Sequence, residues 1–123
     1  MSENASPRVA IAGIEGALGS LLRDVLADLN AELVALGQSH ADLVFVEFAR
    51  APALEERVAT AKAIAPEAEV VVLLPFGDEQ HALEALLAGA DATFALGSPL
   101  RAFRDMLTAL LRKPKRAGAV GRA

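Results

Sequence analysis

Cysteine is absent from the 123 residues, which excludes a disulfide framework, a thiolate metal site and a cysteine nucleophile. Tryptophan and tyrosine are absent as well, and five phenylalanines supply all the aromatic content. The stacking platforms that hold bases and sugars are therefore missing. No apolar run reaches the roughly 18 residues of a membrane span, and the opening Met-Ser-Glu-Asn-Ala-Ser-Pro lacks the basic start and apolar centre of a secretory signal. Cations are in the minority: 12 Lys and Arg face 16 Asp and Glu, for a net charge of −4. A surface devoted to nucleic acid needs clustered Lys and Arg to neutralise phosphates, and this balance argues against one. The expectation is a cytoplasmic protein with no membrane segment and no nucleic-acid partner.

What remains is strongly apolar. Hydrophobic residues make up 54% of the chain and charged ones 23%, the balance of a folded globular protein rather than a disordered one. The length suits one domain with a real core. Residues 1–7 are polar and end in Pro, while residues 113–123 are basic and contain Gly. The organisation is thus a flexible N-terminus (1–7), one domain (8–112) and a flexible basic tail (113–123).

Within the domain, Val9 to Ala12, Leu43 to Phe48, Val70 to Leu74 and Ala92 to Leu96 are unbroken apolar runs. Strands covered on both faces read this way, whereas half-exposed strands alternate. Between them lie helix-period stripes: Leu18, Leu22, Val25 and Leu29; Leu54, Val58, Ala61 and Ala65; Leu83, Leu86 and Leu87; and Leu100, Phe103, Leu107 and Leu110. Alternating strand and helix specify an α/β fold, a mostly parallel sheet with helices on both faces and right-handed crossovers.

One segment does not fit smoothly. "AELVALG", Ala31 to Gly37, has strand composition, but only Gln38, Ser39 and His40 separate it from the next apolar segment. In the strand order 2-1-3-4-5, the second and third strands flank the first about 10 Å apart and run the same way. The chain would have to return about 17 Å as well as cross. Three or four residues at about 3.4 Å each barely cover that diagonal, and no crossover helix fits. Either that helix is shortened or absent, or the segment extends the first helix, since Leu33 and Leu36 continue its stripe at spacings of four and three.

In doubly wound sheets the site lies beyond the carboxyl ends of the strands. The residues there are Gly13, Ile14 and Glu15, then Glu47, then Leu74 and Pro75, then Leu96 and Gly97. Only Glu15 and Glu47 ionise, and a catalytic or metal site needs two or three converging polar groups. No cofactor is expected. His40 and His81 lack metal-ligand spacing. The run Arg112-Lys113-Pro114-Lys115-Arg116 reads as a solvated tail or a linker stub, with contact to nucleic acid or an acidic partner as the alternative.

Four stretches together carry a resemblance: "RVAIAGIEGALGSLLRDVLADL", "ADLVFVEFARAP", "EVVVLLPFGDEQHALEALLAGADATFAL" and "LRAFRDMLTALLR". They are similar to the receiver domain of two-component response regulators over most of residues 8 to 112, most specifically in "ALEALLAGADATF". The resemblance implies a flavodoxin-like, CheY-like sheet. It also implies an acidic pair after the first strand, a phosphoacceptor Asp after the third, a Thr or Ser after the fourth and Lys-Pro after the fifth. Here Gly13 and Ile14 replace the acidic pair, Glu47 the Asp, Leu74 the hydroxyl residue and Leu96-Gly97 the Lys-Pro, while the aromatic switch position falls on Thr93. About ten residues are also missing before Glu47, matching the helix deficit found by geometry.

Phosphoryl transfer to a carboxylate needs Mg²⁺ held by neighbouring acids, with a Lys and a hydroxyl to receive the charge. These replacements remove that machinery, so the expectation is an atypical receiver, a pseudo-receiver that signals by protein–protein contact and is not an enzyme. Partners would be a signalling protein, a histidine kinase or output domain, or a second copy. Receivers commonly dock through the outward face of their last two helices, here Gln80, His81, Glu84, Arg101 and Arg104, with Thr93 at the switch position on the fifth strand completing the interaction face. Glu47, one methylene longer than Asp and negative, either imitates a phosphorylated Asp or is a solvated or Arg-paired acid.

A rival reading takes Gly13, Gly16 and Gly19 in "GIEGALG" as a nucleotide-binding turn for NAD(P), since glycines there let a pyrophosphate approach a helix N-terminus. Ribose binding would want an acid after the second strand, where Leu36-Gly37-Gln38 stands. The plainer alternative is that Gly19 lets the first helix pack closely on the sheet.

Overall fold

Three of the strands carry alternating side chains that are apolar on both sides, and this decides the architecture. The computed structural model describes residues 7–12, 16–75, 77–95 and 99–112. In chain order these form β1 (Arg8–Ala12), α1 (Gly16–Asp28), β2 (Glu32–Val34), β3 (Leu43–Glu47), α2 (Ala53–Ile64), β4 (Glu69–Leu74), α3 (Glu79–Leu87), β5 (Ala92–Ala95) and α4 (Leu100–Arg112). The strands make one sheet in the order β2-β1-β3-β4-β5, and every pair is parallel.

Because side chains alternate across a strand, each central strand feeds two cores. Val44 and Val46 of β3 join Val70, Val72 and Leu74 of β4 beneath α2 and α3. Leu43 and Phe45, with Val71 and Leu73, face α1 and α4 on the other side. On that second face Phe103 of α4 stacks on Phe45 at 5.7 Å and tilts against Phe94 of β5 at 5.0 Å, the offset geometries that aromatic rings favour. Three of the four helical stripes lie where their spacing places them. Leu22 and Val25 are buried, as are Leu54, Val58 and Ala61, and Phe103 and Leu107.

The segment after α1 is a strand. Asn30 takes a left-handed conformation at φ 61°. The Asn30 N–H bonds the Ala27 carbonyl at 3.0 Å, and the Ala31 N–H bonds that of Leu26 at 2.8 Å. This is a Schellman stop, and Asn is among the few residues that tolerate its left-handed position. The helical continuation through Leu33 and Leu36 is thereby overturned, and Leu33 pairs beside Val9 in the β1–β2 ladder.

The connection to β3 differs from the geometric expectation in detail. β2 ends at Val34, level with Ala10, and β3 starts at Leu43, level with Val9. The chain therefore returns about one residue, roughly 3 Å, rather than 17 Å. Residues 35–42 make the crossing. They turn at Gly37 (φ 89°) with a bond from Gln38 N–H to the Ala35 carbonyl at 3.1 Å, and no helix lies between β2 and β3.

The third stripe is reversed. Ala85 of α3 is fully buried and Ala82 packs beside it, as does Ala88 at the helix C-cap, while Leu83, Leu86 and Leu87 are 56%, 48% and 77% exposed. Small side chains let the helix sit close over the filled β4 surface, and the leucines are left outside. The helix starts where the Asp78 side chain accepts from the Gln80 N–H at 2.9 Å, a carboxylate cap. It ends in a second Schellman turn at Gly89, φ 111°.

Candidate functional site

The described strand ends carry Ala12, Val34, Glu47, Leu74 and Ala95, so Glu47 is the ionisable group among them. Gly13, Ile14, Glu15, Leu96 and Gly97 lie outside the described residues. Glu47 closes β3 level with Leu73 of β4, and its side chain is exposed. Leu74, at the position where a hydroxyl would receive a transferred charge, is buried in the core under α2 and α3. Among the described residues no three His, Asp or Glu side chains converge as a metal ion would need.

Arg57 of α2 approaches this strand end, a contact the linear sequence does not announce. Its Nη1 donates to the Glu47 backbone carbonyl at 3.0 Å. The cation thus braces the end of β3 through the main chain, and among the described residues no ion pair joins it to the Glu47 carboxylate.

Beside Glu47 a cleft of about 560 Å³ opens, lined by Phe48 to Ala51, His81 and Glu84. The His81 ring lies 4.7 Å from Phe48, and its Nδ1 is 3.3 Å from Asp78 Oδ2. His81 therefore turns toward the loop after β3, and the exposed Glu84 stands at the rim of the cleft. Gln80 is exposed at the start of α3, Thr93 is half-buried in β5, and Arg101 is exposed in the first turn of α4. Arg104 makes an ion pair with Asp28 of α1. Of the six residues expected to share one docking face, His81 and Glu84 line the cleft, Thr93 lies in β5, Arg104 contacts α1, and Gln80 and Arg101 are exposed on α3 and α4. What α3 does present outward is the Leu83, Leu86 and Leu87 surface. The signal that could have found it is a second small-residue stripe, Ala82, Ala85 and Ala88, at spacing three. Two apolar stripes on one helix leave sequence alone without a way to choose.

Helix α1 begins at Gly16, and Gly19 is buried, as close packing of helix on sheet requires. Past β2 the chain reads Ala35-Leu36-Gly37 and offers no acid for a ribose. Among the described residues no helix is long and apolar enough to cross a membrane.

No family model matches the sequence, and no curated protein matches it. Solved structures do. A response regulator from Thermotoga maritima is 17% identical, with a TM-score of 0.75, 89% of this chain covered and 100% of that one. An orphan response regulator of H. pylori is 21% identical at a TM-score of 0.68, covering 87% and 98%. The receiver domain of a sensor histidine kinase from Pseudomonas aeruginosa, with magnesium coordinated in its active-site cleft, is 12% identical at 0.69, covering 89% and 100%. The chain has the CheY-like fold of receiver domains, with the helix between the second and third strands absent.

Proposed function

We propose that this domain is a pseudo-receiver, a signalling module of receiver fold that works by binding another protein, accepts no phosphate and is not an enzyme. The observation that carries the reading is the outward turn of Leu83, Leu86 and Leu87 on α3. Exposed leucines cost nothing singly, but three on one short helix form an apolar patch of the kind that marks an interaction surface.

The phosphate side of the reading rests on which side chains stand at the strand ends. A magnesium centre needs several oxygen ligands. Glu47 is the one described strand-end carboxylate, and Leu74 fills its place with buried hydrocarbon. Gly13 and Ile14 carry no acid and Leu96 no amine. These residues do not fit the ion that the Pseudomonas receiver coordinates. Similarity to receivers and the missing acid after β2 leave the dinucleotide-binding alternative without support.

Incubation with acetyl phosphate and Mg²⁺ tests the first half: intact mass stays unchanged, and a stable phosphoryl adduct at Glu47 would overturn the reading. For the second half, Leu83→Glu with Leu87→Glu abolishes binding to the partner of the wild-type domain while the circular dichroism spectrum stays the same. Undiminished binding by that folded variant counts against it. Glu47 is a solvated acid in this scheme, so Glu47→Gln leaves affinity for that partner unaltered.

A further inference from the structure

The lost crossover leaves a groove. With no helix between β2 and β3, a cavity of about 340 Å³ lies beside α2, between Ala12 and Leu36 on one side and Ala53, Glu56, Arg57, Thr60 and Ala61 on the other. The α2 residues recur at spacings of three and four, so they form one wall of the groove. Its floor is small and apolar, its far side carries Leu36, and its α2 wall is polar.

We infer that α3 of a second copy of this chain seats in this groove, so that the absent helix is replaced in trans. The inference rests on the proposed role of the α3 leucine face and names its occupant. Three features of α3 match. The α2 wall runs from Ala53 to Ala61, about 12 Å at 1.5 Å per residue, and α3 with nine residues spans about 13 Å. At 100° per residue Leu83 and Leu87 form the outermost ridge, with Glu84 on one flank and Leu86 on the other. A ridge of leucines over an alanine floor then places Glu84 against the polar wall and Leu86 against Leu36. The charges agree at one point: α3 contains Glu79 and Glu84 and no Lys or Arg, and the wall sets the Arg57 cation beside the Glu56 acid. Arg57 on the wall is bonded to a backbone carbonyl, and among the described residues it has no carboxylate in an ion pair. The cavity takes the side chains, while the helix, about 10 Å across, lies above them.

Donor helix and acceptor groove are different surfaces, so the contact is heterologous and each copy can both give and receive. One helix in one groove falls among small, transient interfaces. Light scattering up to roughly 1 mM protein, the weak end of specific affinity, should show a mass that rises past that of a dimer. Leu87→Glu spoils the donor and Thr60→Arg fills the acceptor at an exposed position. Each variant alone stays monomeric with an unchanged circular dichroism spectrum. Mixed in equal amounts they form a 1:1 pair and stop, because one intact helix and one intact groove remain. Association of Thr60→Arg as strong as that of wild type, or a mixture that stays monomeric, overturns the inference. So does a wild-type chain that is monomeric throughout, and in that case the proposed binding of another protein through α3 still stands on its own test.

Discussion

Replacing Leu87 by Ala separates an outward α3 leucine face from an inward one, and Leu54→Ala on α2 is the matched control. Leu54 is 2% exposed and Leu87 is 77% exposed. Burying a leucine completely is worth about 1.5–3 kcal/mol. Less than a quarter of the Leu87 surface is covered, so truncating it removes about 0.3–0.7 kcal/mol. Leu54→Ala removes buried hydrocarbon and leaves a cavity beneath α2, which costs about 2–5 kcal/mol. With a urea m-value of about 1.5 kcal/mol/M, the midpoint moves by about 0.2–0.5 M for Leu87→Ala and by more than about 1 M for Leu54→Ala. Ala85→Leu completes the series: it forces a large side chain into the fully buried α3 position and costs about 1–3 kcal/mol through overpacking. Urea titrations followed by circular dichroism at low micromolar protein keep self-association out of the measurement. A Leu87→Ala shift as large as that of Leu54→Ala, together with a harmless Ala85→Leu, would mean that α3 packs by its leucines and presents no apolar face outward.

Three further outcomes follow from backbone and charge. Asn30→Val destabilises by about 1–2 kcal/mol in urea titration, because a β-branched residue is forced into the left-handed region at φ 61°, whereas Asn30→Gly is neutral within a few tenths. Gly89→Ala loses about 1–2 kcal/mol, since φ is 111° and the new Cβ would lie 3.4 Å from Val58 Cγ1; an unchanged midpoint would show that the turn is not held there. The Arg104–Asp28 pair is substantially exposed on both sides, so a double-mutant cycle with Arg104→Ala and Asp28→Ala gives a coupling of at most about 1 kcal/mol, smaller still in high salt.

The sheet was legible because burial on both faces removes alternation, and the continuous runs around Val44, Val71 and Phe94 have no other simple explanation. The deleted helix was legible by counting residues, although the strand before the gap proved shorter and the return path easier than the count implied. The split of the expected docking face was not legible. Arg104 and His81 look alike as outward helix residues until Asp28 of α1 and Phe48 after β3 arrive from distant parts of the chain. Arg57 escaped notice for the same reason, since its partner is a carbonyl ten residues away and backbone atoms leave no mark in composition.

Residue identity alone determined which groups four of the expected site positions lack. Gly13, Ile14, Leu74 and Leu96 cannot supply a carboxylate, a hydroxyl or an amine wherever they fold. Two matters required the tertiary structure. An isolated "AELV" can be helix or strand, and the free edge of β1 with the left-handed Asn30 made it a strand. Helix α3 has two apolar stripes of nearly equal claim, and the filled surface of β4 left room only for alanine beneath it. That competition for space put three leucines outside, and no local pattern contains it.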